Sequence, residues 1–133
     1  MSCYLYIIGK DLDVDAFVAR TNINDFQKRY KNDLASGSKS KNLEYSSASI
    51  KISDADFENF NKQIEEVQVF LNTYRDHLKC IADTDGVEYA NIHFGANSTT
   101  LFEKKVQSFY FPISLITICA ELKISIETTV YNF

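Results

Sequence analysis

The feature that most constrains the fold of this chain is a row of apolar residues in its middle third. Eight of them recur at steps of three or four: Phe57, Phe60, Ile64, Val67, Leu71, Tyr74, Leu78 and Ile81. This spacing is that of the buried stripe of a long amphipathic helix. We predict about seven turns, with Ser53 as the N-cap residue and an end near Ala82, before a turn at 83–86.

This stripe can pack on a sheet of the same domain or on a partner helix in a coiled coil. A coiled coil needs the repeat to be sustained along a chain that it dominates, and here the repeat ends with one helix. We therefore expect the helix to lie on a sheet. Val69 falls on the far side of the helix from the stripe and hints at a contact surface.

Five segments have the residue pattern of β-strands, namely 3–8, 43–52, 87–94, 106–111 and 124–131. The first is apolar on both alternating faces, which suits a strand inside a sheet rather than at its edge. In the last, Ile124, Ile126 and Val130 are expected to face the core and Glu127 the solvent.

Two short helices complete the pattern. Asp13 can cap a helix that ends near residue 21, and Ser114 can cap one at 115–122. The order β-α-β-α-β-β-α-β predicts a single α+β domain over residues 1–133. In it, a mostly antiparallel sheet of about five strands is covered by one long and two short helices.

Residues 28–42 interrupt these regular elements. Lys28, Arg29, Lys31, Lys39 and Lys41 stand here against one acidic residue, among serine, glycine and asparagine. Such a composition is typical of a flexible basic surface loop, which is what we expect.

The charge and the N-terminal segment restrict partners and location. The formal net charge of −4 argues against binding to nucleic acid, because affinity for phosphate backbones depends on clustered Lys and Arg. The apolar run of residues 3–8 is too short for a signal peptide or a membrane span, so we expect a cytoplasmic protein with no membrane partner. Three cysteines without CxxC spacing indicate reduced thiols.

No catalytic, cofactor or metal motif is present. Of the two histidines, His77 flanks the helical stripe and His93 lies in a predicted strand, and neither sits in a recognisable motif. Asp11, Asp13 and Asp15 alternate as metal ligands can, but Asp13 already has a helix to cap. We therefore predict no catalytic residue, no metal site and no cofactor, and favour a non-enzymatic protein.

The two ends of the chain carry the patterns on which a family resemblance rests. They are the helix start D-L-D-x-D-x-F at 11–17, and an apolar helix, E-L-K and an alternating strand ending in Tyr at 115–131. In these patterns the chain resembles a small bacterial family of domains of unknown function. The family carries tryptophan in its middle, where this chain has none. Proteins of this kind are similar in size and charge to immunity proteins, which neutralise toxins in bacterial competition.

The resemblance implies a protein that binds another protein, such as a basic toxin domain. Acidity would steer such an association. The acidic residues that we expect near strand ends, and so take as partner-binding candidates, are Asp83, Asp85, Glu88 and Glu127.

Two other hypotheses remain open. One is a small-ligand binder or minor enzyme with an aromatic pocket lined by Tyr89, His93, Phe109 and Tyr110. The other is a homodimer formed through the long helix or through an edge of the sheet.

Overall fold

A computed structural model describes residues 3–34, 41–97 and 107–131 of the chain. In chain order, its elements are β1 (Cys3–Gly9), α1 (Val14–Thr21), β2 (Gln27–Arg29), β3 (Ser46–Ser53), α2 (Phe60–Thr73), α3 (Arg75–Leu78), a 3₁₀ helix (Lys79–Asp83), β4 (Tyr89–Asn97), α4 (Ile113–Leu122) and β5 (Ser125–Tyr131).

The strands form one sheet in the order β2-β3-β1-β4-β5. β1 lies at its centre and pairs antiparallel with β3 and β4, and β2 pairs antiparallel with β3. β5 runs parallel to β4 because α4 carries the chain back between them. The fold is therefore one α+β domain with a mostly antiparallel sheet, as predicted, and β1 is the expected interior strand.

The core lies on one face of this sheet, between the strands and the helices. The strand residues that enter it are at alternate positions: Cys3, Leu5 and Ile7; Ala48 and Ile50; Ala90, Ile92 and Phe94. The predicted stripe supplies the opposite side: Ile64, Val67, Leu71, Leu78 and Ile81 are buried in the same cluster, with Phe60 packed against it. Burial of each large side chain contributes about 1.5–3 kcal/mol, so tertiary packing holds the helix in place.

The long helix is shorter and less regular than predicted. Ser53 is not its cap but the last residue of β3, and its Oγ accepts a hydrogen bond from the amide of Ala55 at 3.1 Å. α2 begins only at Phe60, so Phe57 lies outside the helix. The helix is interrupted at Tyr74, directly after Asn72 and Thr73, which favour helix interiors poorly.

One of the five strands is not where the sequence placed it. The prediction of a strand at 106–111 is wrong for the described residues 107–111, which have no regular structure. Their aromatic side chains pack on the core, since the rings of Phe109 and Phe111 lie 4.9 and 5.7 Å from that of Phe60. The fifth strand is instead β2.

β2 overlaps the start of the segment predicted to be a flexible loop at 28–42. Lys28 and Arg29 pair with β3, and Lys28 Nζ donates to Asp15 of α1 at 2.8 Å. The amide of Asn32 then donates to the carbonyl of Leu43, and the amide of Leu43 donates to the carbonyl of Asp33. Residues 35–40 of the predicted loop lie outside the described residues.

Two details near the C-terminus also differ from the prediction. Pro112, and not Ser114, stands at the cap position of α4, and Ser114 Oγ donates to Gln68 Oε1 on α2 at 2.6 Å. Val130, expected to face the core, is exposed on β5, which is an edge strand of the sheet.

Candidate functional site

The second face of the sheet carries no helix among the described residues. Its side chains alternate with the buried ones along each strand and are half-buried or exposed. We call this surface the open face; its central residues are Tyr4, Tyr6 and Ile8 on β1, Tyr89, Asn91 and His93 on β4, and Glu127 and Thr129 on β5. When one face of a sheet is in contact with solvent, its side chains are normally polar, so the aromatic and aliphatic side chains on this face are unusual.

Aromatic rings line the middle of the open face. Tyr4 and Tyr6 stack along β1 with ring centroids 5.7 Å apart, and Tyr89 lies beside Ile8 on the neighbouring strand with half of its surface exposed. A hollow of about 300 Å³ lies between these strands. It is lined by Tyr6, Ile8, Tyr89, Asn91, His93 and Glu127.

Hydrogen bonds fix the polar side chains of this hollow. Asn91 Nδ2 donates to Glu127 Oε1 at 3.2 Å, and His93 Nε2 lies 2.6 Å from Thr129 Oγ1. Partial burial, and secondarily the neighbouring Tyr4, raise the pKa of Tyr6. The Tyr6 hydroxyl is therefore protonated at neutral pH and can donate a hydrogen bond to a bound group.

One end of the open face is closed by an aromatic pair. The rings of Phe57 and Tyr131 stack with centroids 5.1 Å apart and planes 8° from parallel. Phe57 covers Gly95 of β4, where a Cβ atom would lie 2.1 Å from the ring. Only glycine leaves room for this ring, so Gly95 is required by a close approach.

Gln63 holds the backbone beneath that pair. Its Nε2 donates to the carbonyls of Gly95 at 2.8 Å and Asp56 at 3.2 Å, and its Oε1 accepts from the Gly95 amide at 3.3 Å. The side chain is fully buried, and Tyr4–His93 is the last pair of β1 with β4. The Gln63 amide thus acts as a strand partner for β4 beyond that pair.

The four acidic candidates do not form one cluster. Asp83, Asp85 and Glu88 lie in the connection into β4, at the end of the sheet where the Glu88 amide bonds the Ile8 carbonyl. Two of them are engaged: Asp83 pairs with Arg20 at 3.0 Å, and Glu88 accepts from the Lys10 amide at 2.5 Å. Only Glu127 lies in the centre of the open face.

The predicted aromatic pocket is split between the two sides of the sheet. Tyr89 and His93 share the hollow of the open face. Phe109 packs on Phe60 on the helix side, and Tyr110, in the same segment, is exposed. The structure therefore brings together half of this set, and adds Tyr4 and Tyr6, which the sequence prediction missed.

Other chemistry has little support in the described parts of the chain. Within them, no group of three or more His, Cys, Asp and Glu residues is arranged to hold a metal ion. Burial raises the pKa of Cys119 to about 11 and that of Cys3 far above its usual range, so neither thiol is a nucleophile at neutral pH. None of the described helices has the length and apolar character to cross a bilayer.

The chain was compared with protein-family models, with curated proteins and with solved structures, and nothing matches in any of the three.

Proposed function

We propose that this protein is a non-enzymatic protein-binding module that neutralises a bacterial toxin by binding it through the open face of the sheet. The observation that carries the proposal is a sheet face that none of the described helices covers, on which Tyr89 is exposed and Tyr6 is half-buried. A single strand pair presents Tyr6 and Tyr89 around one hollow.

Tyrosine suits such a surface for a physical reason. Its ring offers a large contact area at a low cost in side-chain entropy, and its hydroxyl satisfies polar groups of the partner. β-Strands of a packed sheet hold these rings in fixed positions, so little ordering remains to be done on binding. Asn91, His93 and Glu127 add polar contacts at the rim of the hollow.

The charge distribution favours a basic partner at one end of this surface. Asp83, Asp85 and Glu88 lie at the end of the sheet where β4 begins, next to Tyr89. Of these three carboxylates, only Asp83 forms an ion pair within the described residues, with Arg20; we expect the acidic end to guide the encounter and the tyrosines to hold the complex. This division of roles makes the association rate sensitive to salt and the dissociation rate sensitive to the aromatic residues.

The test begins with the gene neighbourhood: the proposal predicts a toxin-like reading frame immediately upstream of the gene for this protein, and the purified product of that frame is the binding partner to be tested. Binding is measured by calorimetry with the wild type and with the double variant Tyr6→Ala/Tyr89→Ala. Truncating a central aromatic residue costs about 2 kcal/mol, so each substitution should weaken binding about 30-fold. In cells, the wild type should rescue growth in the presence of the toxin, and the double variant should not.

The matched control is Tyr110→Ala. Tyr110 is an exposed tyrosine in the segment that packs on the helix side, so its truncation should leave affinity unchanged. Equal losses for the double variant and the control would place the binding surface elsewhere. Affinity that does not change with ionic strength would remove the electrostatic part of the proposal.

A second candidate function is supported by the hollow itself. A volume of about 300 Å³ is at the lower limit for small-molecule sites, and His93 and Glu127 supply convergent polar groups. A thermal-shift screen with metabolites tests this alternative. If the protein binds a small molecule in this hollow, that ligand should raise the melting temperature of the wild type and not that of His93→Ala.

A further inference from the structure

A groove of about 450 Å³ lies on the helix side of the sheet, between α2 and the end of β3. β2 pairs only with residues 47–49 of β3, so no described strand flanks Ile52 at that outer edge. The sheet therefore ends beside α2 at this point, and one flank of the helix borders the groove. The groove and the open face are on opposite sides of the sheet.

The lining of this groove is mostly apolar and includes two aromatic rings. Phe70 and Tyr74, at the C-terminal end of α2, are half-buried, with ring centroids 4.9 Å apart and planes at 46°. Ile52 is also half-buried, and Val69 has 66% of its surface exposed. Sites for small molecules typically have about 300–1,000 Å³ and a lining of apolar and aromatic side chains with few polar groups. The groove has this size and this kind of lining.

Two carboxylates give the groove its charge. Glu65 and Glu66 stand one turn before Val69 and Phe70 on α2 and line the groove with them. Glu66 is half-buried, and neither carboxylate has an ion pair or a hydrogen bond within the described residues. Lys62, one turn before Glu66, is exposed and takes part in none of the described ion pairs. A partly desolvated carboxylate beside apolar surface is best satisfied by a cation that carries its own apolar group.

We propose that this groove binds a small organic cation, namely a primary amine attached to an aromatic or aliphatic chain. The chain packs against Ile52, Phe70 and Tyr74, and the ammonium group bonds Glu66. The two aromatic rings add a cation–π attraction. An anion of the same shape is repelled by both carboxylates.

The size of the groove favours a small molecule over a protein partner. Seven described residues line it, whereas a stable protein interface involves about 20–30 residues a side. The inference is independent of the proposed function, because it concerns the other side of the sheet and is tested without a toxin.

The test compares three probes of nearly the same shape and different charge. They are 4-phenylbutylamine, 4-phenyl-1-butanol and 4-phenylbutyrate, which are a cation, a neutral molecule and an anion at pH 7. Each is titrated into the labelled protein at one ionic strength, and amide chemical shifts are recorded. A probe with about eleven non-hydrogen atoms should have a dissociation constant on the order of 1 mM.

The amine should bind about tenfold more tightly than the alcohol, and the carboxylate should bind more weakly than the alcohol. The amides that shift should be those of Ile52 and of residues 65–74, which line the groove.

Three variants assign the selectivity to named residues. Glu66→Gln removes a charge and keeps the shape of the side chain, so it should weaken amine binding about fivefold and leave the affinity for the alcohol unchanged. Val69→Lys places an ammonium group at the exposed side of the groove and should weaken amine binding at least about tenfold. The matched control is Glu58→Gln, at an exposed residue outside the groove, which should leave all three affinities unchanged. Circular dichroism shows whether each variant is folded.

Five results would overturn the proposal. Equal binding of the three probes, or equal effects of Glu66→Gln and Glu58→Gln, would show that the groove does not select a cation through Glu66. Shifts confined to the hollow of the open face would place the amine there. Shifts of the groove amides on dilution of the free protein would assign the groove to a second copy of the chain. A lysine-rich peptide that shifts these amides when the amine does not would assign it to a protein segment.

Discussion

Replacement of Gln63 by alanine tests how β4 is held beneath the open face. Gln63 makes three hydrogen bonds, two of them to the backbone of Gly95, and its side chain is fully buried. The variant Gln63→Ala leaves the amide and carbonyl of Gly95 without these partners and opens a small cavity. Each buried group left unpaired costs about 1–3 kcal/mol.

The expected loss of unfolding free energy is about 3–5 kcal/mol, since water entering the cavity will restore part of the hydrogen bonding. For a domain of this size, that corresponds to a fall in melting temperature of roughly 10–20 °C. Urea unfolding followed by circular dichroism measures the free energy directly. The chain has no tryptophan, so tyrosine fluorescence serves as the second probe.

Gln68→Ala on the same helix is the matched control. Gln68 accepts one hydrogen bond, from Ser114, at an exposed site, so its loss should cost less than about 1 kcal/mol. If the two variants lose equal stability, Gln63 is not a strand partner for β4, and the explanation of that end of the open face is wrong.

The remaining predictions concern the aromatic pair and the thiols. Gly95→Ala should cost about 1–3 kcal/mol, and less in a Phe57→Ala background, where the added methyl meets no ring; equal costs by urea unfolding would contradict this. A thiol reagent at neutral pH should modify the partly exposed Cys80 before Cys3 and Cys119, which should react only on unfolding; equal rates in the native state would contradict their burial. Burial raises the pKa of Cys119 in the folded protein from 9.0 to about 11. Between these two values unfolding releases the thiol proton, so the contribution of the buried thiol to the free energy of unfolding is complete below pH 9.0 and is lost as the pH rises towards 11. Urea midpoints should fall over that range, and midpoints that do not change would be inconsistent with it.

The periodic part of the sequence predicted the fold well. The stripe from Phe60 to Ile81 is buried because its spacing matches one face of a helix, and the first strand is central because both of its faces are apolar. Periodicity did not, however, fix where the long helix begins. Phe57 continues the spacing of the stripe by coincidence and belongs to a turn that stacks on Tyr131.

β2 could not be found from periodicity. All three of its residues are polar and exposed, and it is held by pairing with β3 and by the contact of Lys28 with Asp15. Conversely, Phe109 and Phe111 alternate as in a strand, although their rings pack on Phe60. Aromatic residues at alternate positions indicate buried side chains, and an irregular segment can bury its side chains as well as a strand can.

The candidate site depended on topology more than on residue type. Alternation in the first strand separates Tyr4 and Tyr6 from Leu5 and Ile7, which was a usable signal for a second, wetter face. The sequence could not show that the described helices all pack on the other side. Nor could it show that Tyr89 and His93 face Tyr6 across the strand pair, since strand order is set by long-range pairing.

The most direct test of the central claim, that the open face is the binding surface, is an amide chemical-shift titration of the labelled protein with its partner. The largest changes are expected on alternate residues of β1 and β4 around Tyr6 and Tyr89, with further changes at Glu127 on β5. Changes concentrated on α2, around Val69 and its exposed neighbours, with the open face silent, would contradict it.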